Sequence, residues 1–315
     1  MKLIIRILGV LLLASGVFLV AGLLATWASD RTVAQLSARW AQPPSKFVEV
    51  GGMQVHLRDE GPRNDPLPIV LLHGTSASLH TWDGWVASLK DEHRVIRFDL
   101  PAFGLTGPDP HNDYSIAAYV RFVVAVMDKL GVQRFVLAGN SLGGQIAWET
   151  ALSHPERVRQ LVLVDAAGYP FVPTSIPIGF RIARMPGLRV LMEHVLPRGV
   201  VDSSVRNVYG DPSKVTRELV DRYYELTLRA GNRAALAYRM DQGLSGDENQ
   251  ISKLKLPTLI LWGDKDHLIP LDNGKRFALD IAGSKLVVFD DLGHVPHEED
   301  PKKTVEALKE FLAKP

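Results

Sequence analysis

Gly139-Asn140-Ser141-Leu142-Gly143-Gly144 follows the apolar, β-branched run Phe135-Val136-Leu137-Ala138 and precedes a helical pattern that begins at Gln145. A serine set between glycines at this spacing suits a nucleophile. A tight turn from strand to helix pushes Oγ out of the sheet edge, and the glycines leave room where a Cβ would clash. The helix N-terminus behind the turn favours the negative charge that develops when a carbonyl is attacked. Five residues alone also describe an ordinary turn or cap. The assignment therefore depends on whether the chain supplies a base, an orienting acid and an oxyanion hole.

Base and acid both stand downstream. Lys285-Leu286-Val287-Val288-Phe289 reads as a strand running into Asp290-Asp291-Leu292-Gly293-His294-Val295-Pro296-His297-Glu298, which puts His294 in a loop just past a strand end. Pro257-Thr258-Leu259-Ile260-Leu261-Trp262 reads as a buried strand leading into Gly263-Asp264-Lys265-Asp266-His267, so Asp266 falls on the same kind of loop. A histidine there can take the serine proton, and a carboxylate can orient the imidazole and stabilise its cation.

The order Ser141, Asp266, His294 resembles that of the α/β-hydrolase family, and the likeness runs from about Phe47 to the C-terminus. His73-Gly74-Thr75-Ser76, after the strand Ile69-Val70-Leu71-Leu72, resembles the family's oxyanion loop, and Asp99-Leu100-Pro101-Ala102-Phe103-Gly104 resembles its loop after the next strand. Within the family the chain looks most like bacterial serine lipases and esterases, including membrane-anchored phospholipases A. It looks less like the serine C–C hydrolases that share the Gly-Asn-Ser elbow. The resemblance implies Ser141 as nucleophile, His294 as general base and Asp266 as the acid that orients it. It also implies backbone N–H groups of Leu142 and Thr75 as the oxyanion hole, with Ser76 as the fallback for the second donor. Haloalkane dehalogenases and epoxide hydrolases place aspartate where Ser141 stands, which argues against both.

Other polar residues near these motifs read more plainly. His297 is expected to brace the loop or lie at the surface, and His73 to hold the oxyanion-loop backbone. Asp264 suits a helix cap. Asp165, after Leu161-Val162-Leu163-Val164, is the rival acid, and the Gly-x-x-Asp spacing of the matching motif favours Asp266. Asp290 and Asp291 read as solvated turn residues, and His111, His154 and His267 as surface residues. With no cysteine and no His-x-x-x-His spacing, neither a metal nor a cofactor is needed for this chemistry.

The elements that must position these residues follow from the hydrophobic pattern. Strands are expected near 47–50 and 54–58, paired antiparallel across Gly51-Gly52, and then near 69–72, 94–99, 135–139, 160–164, 257–262 and 285–289. The later ones are apolar and largely β-branched, as buried parallel strands are. Helices near 80–90, 115–130, 144–153, 271–281 and 302–313 supply the crossovers. The expected class is α/β, a mostly parallel eight-stranded sheet covered on both faces, with core residues 47–167 and 247–315. Between Asp165 and Pro257 the strand rhythm stops and prolines punctuate a helical pattern. Residues 168–246 are expected to form a helical cap (lid) over Ser141, with Tyr169, Phe171, Ile176, Ile178, Phe180, Met185, Leu188 and Leu191 as acyl contacts or cap core.

From Ile7 to Ala28 the chain has 22 residues with Ser15 and Thr26 as the polar side chains. At 1.5 Å per residue this run covers about 33 Å, close to the hydrocarbon thickness of a bilayer. Residues 1–28 are thus expected to be an uncleaved transmembrane anchor in the inner (cytoplasmic) membrane. Lys2 and Arg6 orient the N-terminus to the cytoplasm and the catalytic body to the periplasmic or external side. A cleaved signal peptide is the rival; its apolar region is shorter, about 7 to 15 residues, and Thr26-Trp27-Ala28 is a poor cleavage site. Residues 29–46 read as a juxtamembrane helix and linker, helical from Ser29 to Gln42 with Val33, Leu36 and Trp40 on one side, before Pro43-Pro44 stops it. Trp27 and Arg31 suit the membrane interface. Gly9, Gly16, Ala21, Gly22 and Ala25 would let two such helices pack as a homodimer.

A net charge of +1, from 36 basic and 35 acidic residues, gives no electrostatic reason to expect a nucleic acid partner. The expected activity is hydrolysis of carboxylic esters through an acyl-enzyme. Anchor and apolar cap point to lipid substrates of phospholipase A, lysophospholipase or lipase type. Small-ester hydrolysis, C–C bond hydrolysis and simple ligand binding are the other readings.

Overall fold

The computed structural model describes residues 2–185, 193–243 and 246–313, with side chains in the first helix described at 6–10, 13–17, 21–22 and 25. Eight strands form one sheet in the order β1-β2-β4-β3-β5-β6-β7-β8. They are β1 (Lys46–Val50), β2 (Met53–Glu60), β3 (Ile69–Leu72), β4 (Val95–Phe98), β5 (Phe135–Asn140), β6 (Val158–Val164), β7 (Thr258–Gly263) and β8 (Lys285–Phe289). β1 and β2 run antiparallel to their neighbours, whereas β3 through β8 pair in parallel. Where both faces are buried, as in β3 and the second half of β6, the parallel strands read as unbroken apolar runs. Val70 and Leu72 enter one core cluster while Ile69 and Leu71 enter the other, and Leu161 and Leu163 part from Val162 and Val164 in the same way.

The helices, in chain order, are α1 (Lys2–Ala25), α2 (Val33–Trp40), α3 (Asp83–Leu89), α4 (Ile116–Lys129), α5 (Leu142–Ser153), α6 (Ile178–Ala183), α7 (Arg198–Val208), α8 (Arg217–Thr227), α9 (Asn232–Asp241), α10 (Leu271–Asp280), α11 (Pro296–Glu299) and α12 (Pro301–Leu312). Strand pairing lapses after Val164 and resumes at Thr258, and α6 to α9 fill that interval. Of the apolar residues expected at its start, Phe180 lines the cavity described below, whereas Tyr169 is buried against Phe277 and donates to Asp280. Ile178 and Met185 are exposed, and Leu188 and Leu191 lie outside the described residues.

The N-terminal segment departs from expectation. Helix α1 does form over Lys2–Ala25, and each of its residues with a described side chain is exposed. Among the described residues, however, no helix is long and apolar enough to cross a membrane, so the expected transmembrane anchor is not supported by the fold. The helix also ends before Ala28, because the chain is there drawn into backbone pairing with the insertion. Leu196 N–H donates to Thr26 O at 3.1 Å and Ala28 N–H to His194 O at 2.8 Å. Farther along, Arg31 N–H donates to Leu228 O at 2.7 Å and the Arg31 carbonyl accepts Ala230 N–H at 2.9 Å. Trp27 stacks on His194, and Arg31 pairs with Glu225, so the two expected interface residues serve this seam.

Helix α2 starts at Val33 rather than Ser29. Thr32 closes a capping box with Gln35, which fixes the start, and Leu36 and Trp40 are the buried side. Trp40 Nε1 donates to Glu225 of α8 at 2.7 Å, and its carbonyl accepts from the His80 ring.

Candidate active site

Ser141 sits between the C-terminal end of β5 and the first residue of α5 with φ 54° and ψ −115°. A non-glycine residue in this region costs on the order of 1 to 3 kcal/mol and persists when its surroundings over-determine it. They do here. Ser141 N–H donates to Val164 O on β6, and its carbonyl accepts from Gln145 and Ala167. A Cβ at Gly143 would lie 2.3 Å from Leu72 O, so only glycine lets α5 pack this close to β3. Leu142 opens α5, which leaves its amide without an intrahelical acceptor.

The loops after β7 and β8 bring Asp266 and His294 together. Asp266 Oδ2 lies 2.7 Å from His294 Nδ1, while its Oδ1 accepts Leu268 N–H and Ile269 N–H at 2.8 and 2.9 Å. With Nδ1–H committed to the carboxylate, Nε2 is the imidazole nitrogen left to act as a base. The His294 carbonyl accepts Asn140 Nδ2 at 2.9 Å, so the residue before Ser141 holds the backbone of the histidine. Ser141 and His294 line one cavity.

Asp165, the rival acid, is buried directly behind this pair. Burial drives its carboxyl well above the usual carboxylate range, and the neighbouring Asp266 charge pushes the same way. Protonated, it presents no second charge to Asp266, and its Oδ1 accepts Gly263 N–H at 2.9 Å. Donor atoms of Asp165, Asp266 and His294 lie close enough together to suggest an ion. Asp266 already spends Oδ2 on His294 Nδ1 and Oδ1 on the Leu268 and Ile269 amides, and the cluster reads as the support behind His294.

The loop after β3 packs against the serine. A Cβ at Gly74 would meet Asn140 Oδ1 at 2.9 Å and Ser141 Cβ at 3.2 Å, and Thr75 and Ser76 follow it along the cavity wall. His73 holds the loop, as expected. Its Nε2 accepts Leu100 N–H at 2.9 Å, so Nδ1–H donates to Gly74 O at 2.8 Å. Burial lowers its pKa against the pull of Asp99 and keeps the ring neutral. Asp99 in turn takes Leu79 N–H, Leu105 N–H and His56 Nδ1. Burial opposes its ionisation, yet His56, bonded to it at 2.7 Å, holds the carboxyl well below the ordinary range.

The insertion is fastened to the histidine loop. Val208 O accepts His294 N–H at 2.8 Å, and the buried Glu299 carboxylate accepts three amides, from Gly210, Asp211 and Gly293. Arg222 and Tyr223 of α8 both engage Glu298. His297, expected to brace the loop or lie at the surface, is fully buried against Trp82 with ring centroids 3.9 Å apart. Ser141 and His294 thus open into one cavity. Phe180, Leu196, Val201, Val205 and Leu236 of the insertion are among its walls.

A family model for the alpha/beta hydrolase fold matches residues 68–301. The chain belongs to the alpha/beta hydrolase family. This hydrolase is 30% identical over 282 residues to a 2-hydroxy-6-oxo-2,4-heptadienoate hydrolase of Pseudomonas putida, an alignment covering 85% of this chain and 96% of that one. A meta-cleavage product hydrolase of Pseudomonas fluorescens superposes with a TM-score of 0.72 at 27% identity, covering 85% of this chain and 97% of that one. A membrane phospholipase A superposes with a TM-score of 0.74 at 26% identity, covering 99% of this chain and 97% of that one.

In the hydrolase, then, Ser141, His294 and Thr75 share one cavity, Asp266 stands behind the histidine, and Leu142 is buried at the elbow. Sequence reasoning did not find Asn140, Glu298 and Glu299 as supports of His294. An acidic pair following a loop histidine was the one available signal, and acidic pairs are common on surfaces.

Proposed function

We propose that the hydrolase cleaves carboxylic esters of lipids through an acyl-enzyme. Ser141 attacks the carbonyl, His294 Nε2 takes its proton and returns it to the leaving alcohol, and Asp266 stabilises the imidazolium. Leu142 and Thr75 N–H groups receive the oxyanion, each worth about 3 kcal/mol in the transition state. Water then enters, loses its proton to His294 and releases the acid.

One observation carries the lipid reading. The cavity above Ser141 is walled by apolar side chains, and one of them, Leu196, is bonded to Thr26 directly after the apolar helix α1. The match to a membrane phospholipase A over 99% of the chain, N-terminal segment included, supports the same reading. Relatives named as a 2-hydroxy-6-oxo-2,4-heptadienoate hydrolase, at 30% identity, and as a meta-cleavage product hydrolase favour a second reading, cleavage of a carbon–carbon bond in such a ring-fission product by the same serine. A panel of monoacyl esters of rising chain length, with a ring-fission dienoate alongside, separates the two. For lipids, kcat/KM is expected to rise about fourfold per methylene until the cavity is filled, from about 0.8 kcal/mol per buried CH₂. A flat chain-length profile with rapid dienoate turnover would reverse the order of preference.

We further propose that α1 anchors the hydrolase in a membrane with the catalytic body outside the cytoplasm. Its exposed Ile7, Leu8, Val10, Leu13 and Val17 have no protein surface to cover them among the described residues. A C-terminally tagged chain is expected at full length in the carbonate-washed membrane fraction. A shortened, extractable product would establish a cleaved leader instead.

A further inference from the structure

The cavity over Ser141 is mostly apolar on the side of the insertion, with a cationic side chain set into its wall. Among the described residues that line it, Arg233 is the one arginine or lysine, and no aspartate or glutamate accompanies it. Arg233 is the second residue of α9 and is only 7% exposed. Its Nη2 pairs with Asp30 at 2.6 Å, whereas Nε and Nη1 are buried without a protein acceptor. Arg97, Arg229 and Arg239 also leave nitrogen unpaired, but in each it is Nε alone, and none of the three lines this cavity. Buried polar groups are nearly always hydrogen-bonded, and a guanidinium suits phosphate and carboxylate oxygens above other partners.

We infer that Arg233 forms an anion-recognition site in the wall of the substrate cavity, so that the preferred substrate joins a hydrocarbon chain to an oxyanion, the phosphodiester of a phospholipid. The reaction itself rests on the ester-hydrolase reading; the anion site rests on the arginine. Asp30 accepts both Arg233 Nη2 and Gly231 N–H, so it fixes the guanidinium from the side of the N-terminal segment, while Nε and Nη1 have no protein acceptor.

The test compares a lysophospholipid with a monoacylglycerol of the same acyl chain, using the full-length hydrolase in non-ionic detergent. Arg233→Met is expected to lower kcat/KM for the lysophospholipid by about 10- to 100-fold, the range for one hydrogen bond to a charged group, and to leave the monoacylglycerol nearly unchanged. Arg233→Lys should retain part of the preference. Asp30→Asn breaks the ion pair but keeps the guanidinium, so it should keep the preference even where it lowers Tm. Equal losses on both esters in Arg233→Met would reduce Arg233 to a structural role and overturn the inference.

A second readout does not depend on the reaction. Octyl phosphate should protect Ser141 from a fluorophosphonate better than octanol does, and Arg233→Met should erase the difference. No advantage for octyl phosphate in the unmutated hydrolase would also overturn the inference. If only the ring-fission dienoate is turned over, with its carboxylate dependent on Arg233, the ester reading fails while the anion site stands.

Discussion

Ser141→Ala is expected to lower kcat by about a millionfold and to abolish labelling by fluorophosphonates, with the fold intact. A triad acts as a unit, so removing its nucleophile costs about as much as removing all three members and leaves only what binding and the oxyanion donors supply. Among the described hydrogen bonds, Ser141 takes part through its backbone N–H and carbonyl and not through Oγ. The variant keeps the elbow's bonds to Val164, Gln145 and Ala167, so Tm should hold or rise. Turnover and intact-mass labelling read both effects. Labelling that persists at another residue would show that the nucleophile lies elsewhere.

Asp266→Asn is expected to lower kcat by about 10⁴, because an amide facing Nδ1 can donate and so favours the wrong imidazole tautomer. Asp165→Asn should behave differently. A protonated carboxylic acid and an amide are both neutral and nearly the same shape, so the Asp165→Asn variant leaves the surroundings of Asp266 little changed and should keep most of the activity. Its stability carries the sign of the linkage. The folded state holds the Asp165 proton above the pH at which the unfolded chain releases it. Unmutated stability therefore falls as pH rises above the ordinary carboxylate range, by at most about 1.4 kcal/mol per pH unit from this group. The variant has no such proton, and its Tm advantage should grow between pH 4 and pH 7. If instead Asp165→Asn loses activity as completely as Asp266→Asn, the orienting acid has been misassigned.

Where one periodicity settles an element, the chain is legible before folding. The strand Ile69–Leu72 lies where its apolar run does, because a strand buried on both faces needs uninterrupted apolar residues, and β8, half-buried at the sheet edge, still coincides with Lys285-Leu286-Val287-Val288-Phe289. Ser141, Asp266 and His294 are legible because each follows such a strand, and parallel strands end on the same side of the sheet. What escaped notice depends on contacts across long separations. Nothing local marks Glu299 as the acceptor for three amides, since two of them, Gly210 and Asp211, come from the insertion. The helix expected from Ser29 failed for the same reason. Propensity allows it, but Ala28 and Arg31 find acceptors at His194 and Leu228 instead.

That seam decides where the chain can be shortened. Cutting at Phe47, the natural choice if the catalytic body were self-sufficient, would strip the donors from His194 and Leu228 and the partner from Glu225 and Arg233. Those groups belong to the insertion whose side chains help wall the Ser141 cavity, so an enzyme trimmed that far would have a loosened wall and a more exposed apolar slot. Trimming at Thr26 removes the greasy helix while the stitches remain, and it is the shorter form worth making.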